Sequence, residues 1–153
     1  MNYHQAHLPQ KYALDILGLN KLGTRATGLY PKDLKKYEIY EHDLYSPCDG
    51  RVIETRNDLP DLTPPEMDQE NTAGNFVALT CNGHEAIIYL LHMQHGSVSV
   101  TEGEEVTTGQ LLGKIGNSGN TSEPHLHIHA ELDVVGVPIT FDVKFLVRNS
   151  IVR

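Results

Sequence analysis

Three histidines lie at alternate positions near the end of the chain: His125, His127 and His129. Because successive side chains of a β-strand point to opposite faces, a strand here would place the three imidazoles on one face and the apolar residues between them on the other. Neutral imidazole is a good zinc ligand and also exchanges protons near neutral pH. The spacing therefore favours a metal or catalytic site over the alternative, a half-buried strand with three solvent-facing or hydrogen-bonded histidines.

Two more residues could contribute to such a site. His92 ends the apolar run Ile87–His92, where exclusion of water can shift the pKa of its imidazole. Taken alone, however, His92 fits an ordinary core or edge histidine better than a functional one. Asp15 interrupts the apolar segment Tyr12–Leu17, and a carboxylate there is costly unless it is paired or bound to a metal. Alternation puts Lys11 on the face of Asp15, so a Lys11–Asp15 ion pair and a metal site of Asp15 with imidazoles both remain open.

The elements that must position these residues are mostly short strands. Apolar stretches are separated by Gly, Asn, Asp and Pro, a pattern typical of an all-β protein. The predicted strands are Tyr12–Leu17, Arg51–Thr55, Asn75–Thr80, Glu85–His92, Val98–Val100, Gln110–Ile115 and Leu126–Glu131. We therefore expect one domain over residues 1–153, built as an antiparallel sheet or sandwich, while Phe141–Arg153 fits either a closing strand or a short helix.

Two long polar segments interrupt the strands. Asn20–Tyr45 is broken by glycines and a proline, which predicts an excursion with a turn of helix. Asn57–Thr72 is rich in proline and acidic residues and is predicted to be a loop. A loop of this length is usually either functional or mobile.

The composition excludes several classes of protein. The chain carries 12 Lys and Arg against 20 Asp and Glu, a net charge of −8, whereas a nucleic-acid surface needs clustered cations. No apolar run approaches the ~18 residues that a membrane-spanning helix requires. The first residues lack the pattern of a signal peptide, which predicts either a cytosolic protein or the mature part of an exported one.

The two cysteines, Cys48 and Cys81, are too few for a disulfide-built fold or a cysteine-based zinc ribbon. They flank the predicted strands Arg51–Thr55 and Phe76–Thr80, and pairing of these strands would bring them roughly opposite each other. Proximity alone does not establish the geometry of a disulfide, so the sequence leaves the bridge open. If it forms, it indicates an oxidising compartment.

In combination, these segments resemble the lysostaphin-type (LytM-like) zinc endopeptidases, which cut peptide cross-links in bacterial cell walls. The resemblance runs from Tyr12 to Glu131 and depends on the order and spacing of its parts. The matching parts are Ala13-Leu-Asp15, Ser46-Pro-Cys-Asp-Gly-Arg-Val52, Gly74-Asn-Phe-Val77, Tyr89-Leu-Leu-His92, the turns from Gly103 to Gly113, Gly116-Asn-Ser-Gly-Asn120 and Pro124-His-Leu-His127.

The resemblance implies an all-β fold of the LytM-like type, a Zn²⁺ cofactor and a role for each matching residue. By position, Asp15 and His127 would bind zinc, and His92 and His125 would be the catalytic pair. The remaining ligand in the family is a histidine four residues before the aspartate, but this chain has Lys11 there. An ammonium group cannot bind zinc, so another residue must replace it if the site is to hold the metal.

Two upstream histidines are candidates for the missing ligand. The opening Asn2-Tyr-His4, followed by Gln10 and Asp15, resembles a subgroup of these domains, so we expect His4 to bind zinc, with His7 as the second choice. With neither, the chain would be a degenerate LytM-like domain that binds a cell-wall or division partner without catalysis. His129 is expected beside the ligands or at the rim of the site.

The implied reaction is hydrolysis of a peptidoglycan peptide by a zinc-activated water, with His92 or His125 accepting the proton of that water. The segments Asn20–Tyr45 and Asn57–Thr72 would form the walls of a groove above the sheet. The family also implies an extracellular or periplasmic location. A third alternative is a phosphocarrier β-domain, which has similar glycine turns and paired histidines but needs neither a metal nor an acid beside them. The other histidines, expected at the surface, are His42, His84 and His95.

Overall fold

The computed structural model describes residues 8–141, 144–146 and 150–151 of the chain. Within these residues the regular structure is almost entirely β, as the sequence predicts, apart from single turns of 3-10 helix at Leu8–Gln10 and Leu34–Lys36. In chain order the strands are β1 Leu14–Ile16, β2 Asp43–Tyr45, β3 Gly50–Arg56, β4 Asn75–Cys81, β5 Ile87–Met93, β6 Glu105–Val106, β7 Leu111–Lys114, β8 Leu126–Leu132, β9 Val135–Val137, β10 Thr140–Phe141 and β11 Lys144–Phe145.

The main sheet is antiparallel, which confirms the predicted fold class. Its strands follow the order β1-β8-β5-β4-β3-β6, with β9 paired to β8, and two smaller pairs join β2 to β7 and β10 to β11. The apolar residues Leu126 and Ile128 of β8 pack with Val77, Leu79 and Leu90 in the main core. The alternation predicted for β8 therefore holds, and it turns the odd-numbered residues of this strand to the opposite face of the sheet.

The strand predicted at Val98–Val100 is wrong. These residues lie in irregular backbone, although Val100 is buried as a strand residue would be. The N–H of Val98 donates to the side-chain oxygen of Asn57, so a side chain takes the place of a neighbouring strand. In the undecided segment Phe141–Arg153, Phe141 pairs with Lys144 in a short strand pair.

Side chains hold the two long segments in place. The amide of Asn75 accepts from the N–H of Leu59 at 2.9 Å and donates to the carbonyl of Leu59 at 2.8 Å. Asn75 therefore replaces a strand partner for the loop that follows β3. The earlier segment contains the predicted helical turn, at Leu34–Lys36, and also β2, which the sequence analysis did not predict. No helix in the described part of the chain has the length and apolar character to cross a membrane.

Cys48 and Cys81 form a disulfide, with their Cα atoms 5.7 Å apart. The bridge ties the segment before β3 to the end of β4, where Gly50 pairs with Cys81. A side chain at Gly50 would place its Cβ atom on the carbonyl oxygen of Thr80, so the close approach of these strands requires glycine. The question that the sequence left open is therefore answered by a bridge at this end of the β3–β4 pair.

Candidate functional site

The pairing of β1 with β8 brings Asp15 against His127. The two residues are register partners, and Oδ1 of Asp15 lies 3.0 Å from Nδ1 of His127. The His127 side chain is 3% exposed, while the Asp15 side chain is 40% exposed. The carboxylate therefore reaches from the open edge of the site to a buried imidazole.

Lys11 does not pair with Asp15. Its ammonium group lies 5.5 Å from the centre of the Tyr12 ring, a cation–π contact, and among the described residues it forms no ion pair with the carboxylate. Of the two possibilities that alternation leaves open for Asp15, the structure shows the grouping with imidazoles.

His125 reaches the same centre from just outside the strand. β8 begins at Leu126, so the predicted alternation does not formally include His125, but its Nε2 lies 3.5 Å from Oδ1 of Asp15. Its Nδ1 donates to the carbonyl of Glu123 at 2.9 Å. Because a carbonyl oxygen only accepts, Nδ1 carries the hydrogen and Nε2 presents its lone pair towards the site.

His92 is aimed into the site by a β-bulge. On β4, Asn75 pairs with Met93 and Phe76 pairs with Leu91, so His92 is an extra residue without a register partner. Its φ of 62° lies in the left-handed region, which costs a residue with a side chain free energy of the order of 1–3 kcal/mol. Bulges of this kind redirect side chains and are enriched beside active sites. The strain motivates the hypothesis that His92 is functional.

The His92 ring packs between the other histidines and a buried carbonyl. Its centre lies 4.9 Å from that of His125 and 5.9 Å from that of His127. Its Nδ1 donates to the carbonyl of Ser118 at 2.9 Å. His92 and His125 therefore share one arrangement, with Nδ1 fixed by a backbone carbonyl and Nε2 left to act in the site.

Ser118 holds the backbone beneath His92. Its buried hydroxyl donates to the carbonyl of Met93 at 2.7 Å and accepts from the N–H of Asn75 at 2.9 Å. It thus connects both sides of the bulge that carries His92. The sequence analysis noted the glycine-rich segment around Ser118 but gave this residue no role.

We expect Ser118→Ala to lower the free energy of unfolding by about 1–3 kcal/mol, because the N–H of Asn75 would be buried without a partner. Urea unfolding measures this loss. Ser99→Ala is the matched control, because Ser99 is exposed and its hydroxyl makes a single bond to a carbonyl, that of Leu111. Equal stability of the two variants would contradict the proposed support of the bulge.

Burial, and then the nearby His125 ring, lower the pKa of His92 to about 3. The donated bond to Ser118 acts in the opposite direction but is outweighed. His92 is therefore neutral at physiological pH, the state in which an imidazole binds a metal or accepts a proton.

The depressed pKa predicts a loss of stability in mild acid. His92 takes up a proton near pH 6.5 when unfolded but only near pH 3 when folded, so the unfolded state binds more protons between these values. The free energy of unfolding should therefore fall as the pH drops through this window, by up to ~1.4 kcal/mol per pH unit. Urea unfolding of chelator-treated protein between pH 7 and pH 5 tests this, and His92→Gln should show a shallower slope than the native chain. Parallel slopes would count against the neutral, buried state of His92.

His129 lies beside His127 and is buried, at 5% exposure, so it is not at the rim. Its Nδ1 lies 3.1 Å from Nε2 of His127. Its ring stacks on Tyr89 with centres 4.9 Å apart and planes 8° from parallel. Of the two places expected for His129, the structure shows the one next to the candidate ligands.

The described residues offer two overlapping sets of metal ligands. His92, His125 and His127 each present one nitrogen, and these atoms lie within 4.8 Å of one another. Asp15 adds an oxygen close to His125 and His127. The predicted ligand His4 and its alternative His7 lie outside the described residues. The three histidines expected at the surface are exposed, namely His42, His84 and His95.

A cavity of about 240 Å³ opens beside His129. Its lining includes the apolar Phe76 and Leu91, and the polar His129 and Glu131.

Both long loops contact the segment that leads into β8. Arg25, in the first loop, forms an ion pair with Glu123, whose carbonyl accepts from His125. In the second loop, the N–H of Asp68 donates to the carbonyl of Gly119 at 3.0 Å. Both loops are therefore held next to the site, in the position expected for the walls of a groove.

The sequence matches the model of peptidase family M23 over residues 37–139. The matched span includes His92, His125 and His127 and covers more than half of the chain. Asp15 lies before it.

A curated relative supports the same family. The peptidoglycan DD-endopeptidase ShyA from Vibrio cholerae serotype O1 is 33% identical over 96 residues, which are 63% of this chain and 18% of ShyA. The chain therefore spans less than a fifth of the length of this relative.

Solved structures share the fold at low sequence identity. A zinc-containing peptidase from Vibrio cholerae aligns with a TM-score of 0.50 and 20% identity, over 79% of this chain and 37% of that one. A mutant of the catalytic domain of the prophage-encoded M23 protein EnpA from Enterococcus faecalis aligns with a TM-score of 0.50 and 15% identity, over 82% and 86% of the two chains. These likenesses support the all-β peptidase fold.

Proposed function

This chain belongs to peptidase family M23, and on this premise we propose that it is a zinc-dependent endopeptidase that hydrolyses peptide bonds of bacterial cell-wall peptidoglycan. One observation carries the proposal. Asp15 and His127, 112 residues apart in the sequence, bring an oxygen and a nitrogen within 3.0 Å of each other. His92 faces the same centre from β5, and His125 faces it from the residue just before β8.

The donor atoms fit a zinc ion. Zinc in proteins prefers imidazole, carboxylate and thiolate ligands, the first two at about 2.0–2.2 Å, and two such ligand atoms on one tetrahedral ion lie about 3.3–3.6 Å apart. Oδ1 of Asp15 lies 3.0 Å from Nδ1 of His127 and 3.5 Å from Nε2 of His125. We propose Asp15 and His127 as two ligands and His4 as the third.

The proposed catalytic pair is His92 and His125. Bound zinc would polarise the scissile carbonyl and lower the pKa of a water molecule. Because each of these rings has its Nδ1 hydrogen engaged by a carbonyl, Nε2 is the nitrogen that exchanges a proton. We propose that one of the two rings accepts the proton of the attacking water at Nε2 and then passes that same proton to the departing nitrogen, so that no second proton is needed.

The proposed substrate and location follow from the family and the disulfide. ShyA is named a peptidoglycan DD-endopeptidase, and we extend the substrate class, peptidoglycan peptides, to this chain. We propose an extracellular or periplasmic location, which agrees with the Cys48–Cys81 disulfide because such bridges persist in oxidising compartments.

The test is digestion of purified peptidoglycan by the purified protein. We expect the release of new amino termini to be proportional to the amount of bound zinc. The release should stop when a chelator removes the zinc and should resume when zinc is restored. Zinc-independent release of amino termini, or none at one zinc per chain, would contradict the proposal.

The third ligand requires separate variants. His4→Ala is expected to weaken zinc binding, whereas His7→Ala should leave it near the native level. The reverse result would assign the ligand to His7, and an unchanged affinity in both variants would remove the upstream histidines from the site.

One observation keeps a second function open. Lys11 stands where the resemblance implies a histidine ligand, so a chain that lacked a substitute would be a binding domain without catalysis. The same digestion distinguishes the two functions, because a binding domain would sediment with peptidoglycan but release no amino termini. The phosphocarrier alternative is disfavoured by the carboxylate of Asp15 beside His127.

A further inference from the structure

His129 stands between a proposed zinc ligand and an aromatic ring. On one side its Nδ1 is 3.1 Å from Nε2 of His127, and on the other its ring lies flat against Tyr89. The register explains both contacts, since Tyr89 is the cross-strand partner of His129 and His127 is two residues away on the same face of β8. Neither M23 family membership nor the proposed ligand set gives His129 a role.

The two nitrogens of His127 face different partners. Nδ1 faces Oδ1 of Asp15, so it is the atom that can share a metal ion with the carboxylate. Because a carboxylate only accepts, Nδ1 of His127 would donate to Asp15 in the absence of a metal. A zinc ion held by both groups would instead require a lone pair at Nδ1, and the neutral ring would then carry its hydrogen on Nε2. Among the described residues, Nδ1 of His129 is an acceptor within reach of that hydrogen.

We propose that His129 is a positioning residue for the metal centre, whose Nδ1 accepts the Nε2 hydrogen of His127 and so keeps Nδ1 of His127 directed towards Asp15. The inference rests on the proposed zinc-dependent function. Ligating histidines generally use their second nitrogen in this way, most often with a carboxylate, carbonyl or water as the acceptor. Here the acceptor is a second imidazole.

The surroundings of His129 fix its ring. The parallel stack on Tyr89 restricts rotation about the side-chain bonds. Tyr89 is itself held in β5, which pairs with β8 on one side and with β4 on the other. The chain of contacts therefore runs from Asp15 through His127 and His129 to Tyr89.

Packing alone does not account for an imidazole at this position. His129 is 5% exposed and shares the lining of the adjacent cavity with the apolar Phe76 and Leu91. An aliphatic side chain would fill this place without the cost of removing polar nitrogens from water. The bond to His127 offsets part of that cost, and it is a contact that an aliphatic side chain could not make.

The experiment compares zinc affinity in three forms of the full chain, measured by competition with a chromogenic chelator. His129→Leu keeps an apolar bulk but removes the acceptor, and we expect about 10–100-fold weaker zinc binding. His129→Asn places an amide oxygen near the position of Nδ1, and we expect its affinity to stay within about threefold of the native chain. His84→Ala is the control, because it removes an exposed imidazole away from the site and should bind zinc like the native chain.

The outcomes separate this inference from the proposed function. Native zinc affinity in His129→Leu would overturn the inference while leaving the function intact, and equal losses in the Leu and Asn variants would replace the acceptor role with a packing role. A native chain that binds no zinc would overturn both. If His129→Leu does not fold, ¹⁵N NMR of the native zinc-loaded protein still decides, since a hydrogen on Nε2 of His127 supports the inference and zinc on that nitrogen refutes it.

Discussion

Replacement of His127 by alanine is expected to remove bound zinc and to lower the rate of peptide hydrolysis by about a thousandfold or more. Polarisation by a metal contributes several kcal/mol to transition-state stabilisation, and about 4 kcal/mol corresponds to three orders of magnitude in rate. Asp15 has two imidazole neighbours, His125 and His127, and His127 is the more deeply buried of the two. Without it, a ligand at the centre of the site is lost.

The measurements are zinc stoichiometry after dialysis and the rate of release of amino termini from peptidoglycan. His84→Ala is the matched control, because it removes an exposed imidazole and should change neither quantity. A thermal melt establishes that the His127 variant is folded, since it also leaves a buried space. Full zinc occupancy with native hydrolysis in His127→Ala would refute the proposed mechanism.

Local patterns in the sequence predict the strand that carries the site. The alternation in β8 predicts that Leu126 and Ile128 face the core, and both do. A carboxylate in an apolar segment indicates a polar partner, and the structure shows two histidines beside Asp15, although its side chain is 40% exposed and the expected burial of the carboxylate was wrong. These inferences succeed because they depend only on the strand period and on the chemistry of single side chains.

The position of His92 could not be predicted in the same way. Its orientation depends on a bulge between β4 and β5, and on a left-handed backbone that histidine seldom adopts. The bulge in turn depends on Ser118, which is 26 residues away in the chain. Such long-range contacts leave no periodic signal, so the sequence indicated His92 through the family resemblance alone.

The failed strand at Val98–Val100 has a related cause. Two valines around a serine have the period of a strand, but the N–H of Val98 is taken by the side chain of Asn57. A local pattern cannot show that a side chain 41 residues away competes for a backbone donor.

Replacement of His125 by alanine is expected to preserve zinc and to lower kcat by about 10²–10⁴-fold, the usual contribution of a general acid or base. The expectation depends on the roles proposed above, in which Asp15, His127 and His4 hold the metal. The orientation of His125 supports this role, since its Nδ1 is fixed by the carbonyl of Glu123 and its Nε2 faces the site.

The same variant tests the other possible ligand set. If His92, His125 and His127 held the metal, His125→Ala would lose zinc as well as activity. Zinc stoichiometry and kcat measured on one preparation therefore separate the two arrangements, with His127→Ala as the reference for a lost ligand. Asp15 lies close to both histidines, and retention of zinc by the His125 variant would assign His125 to proton transfer and His127 to the metal.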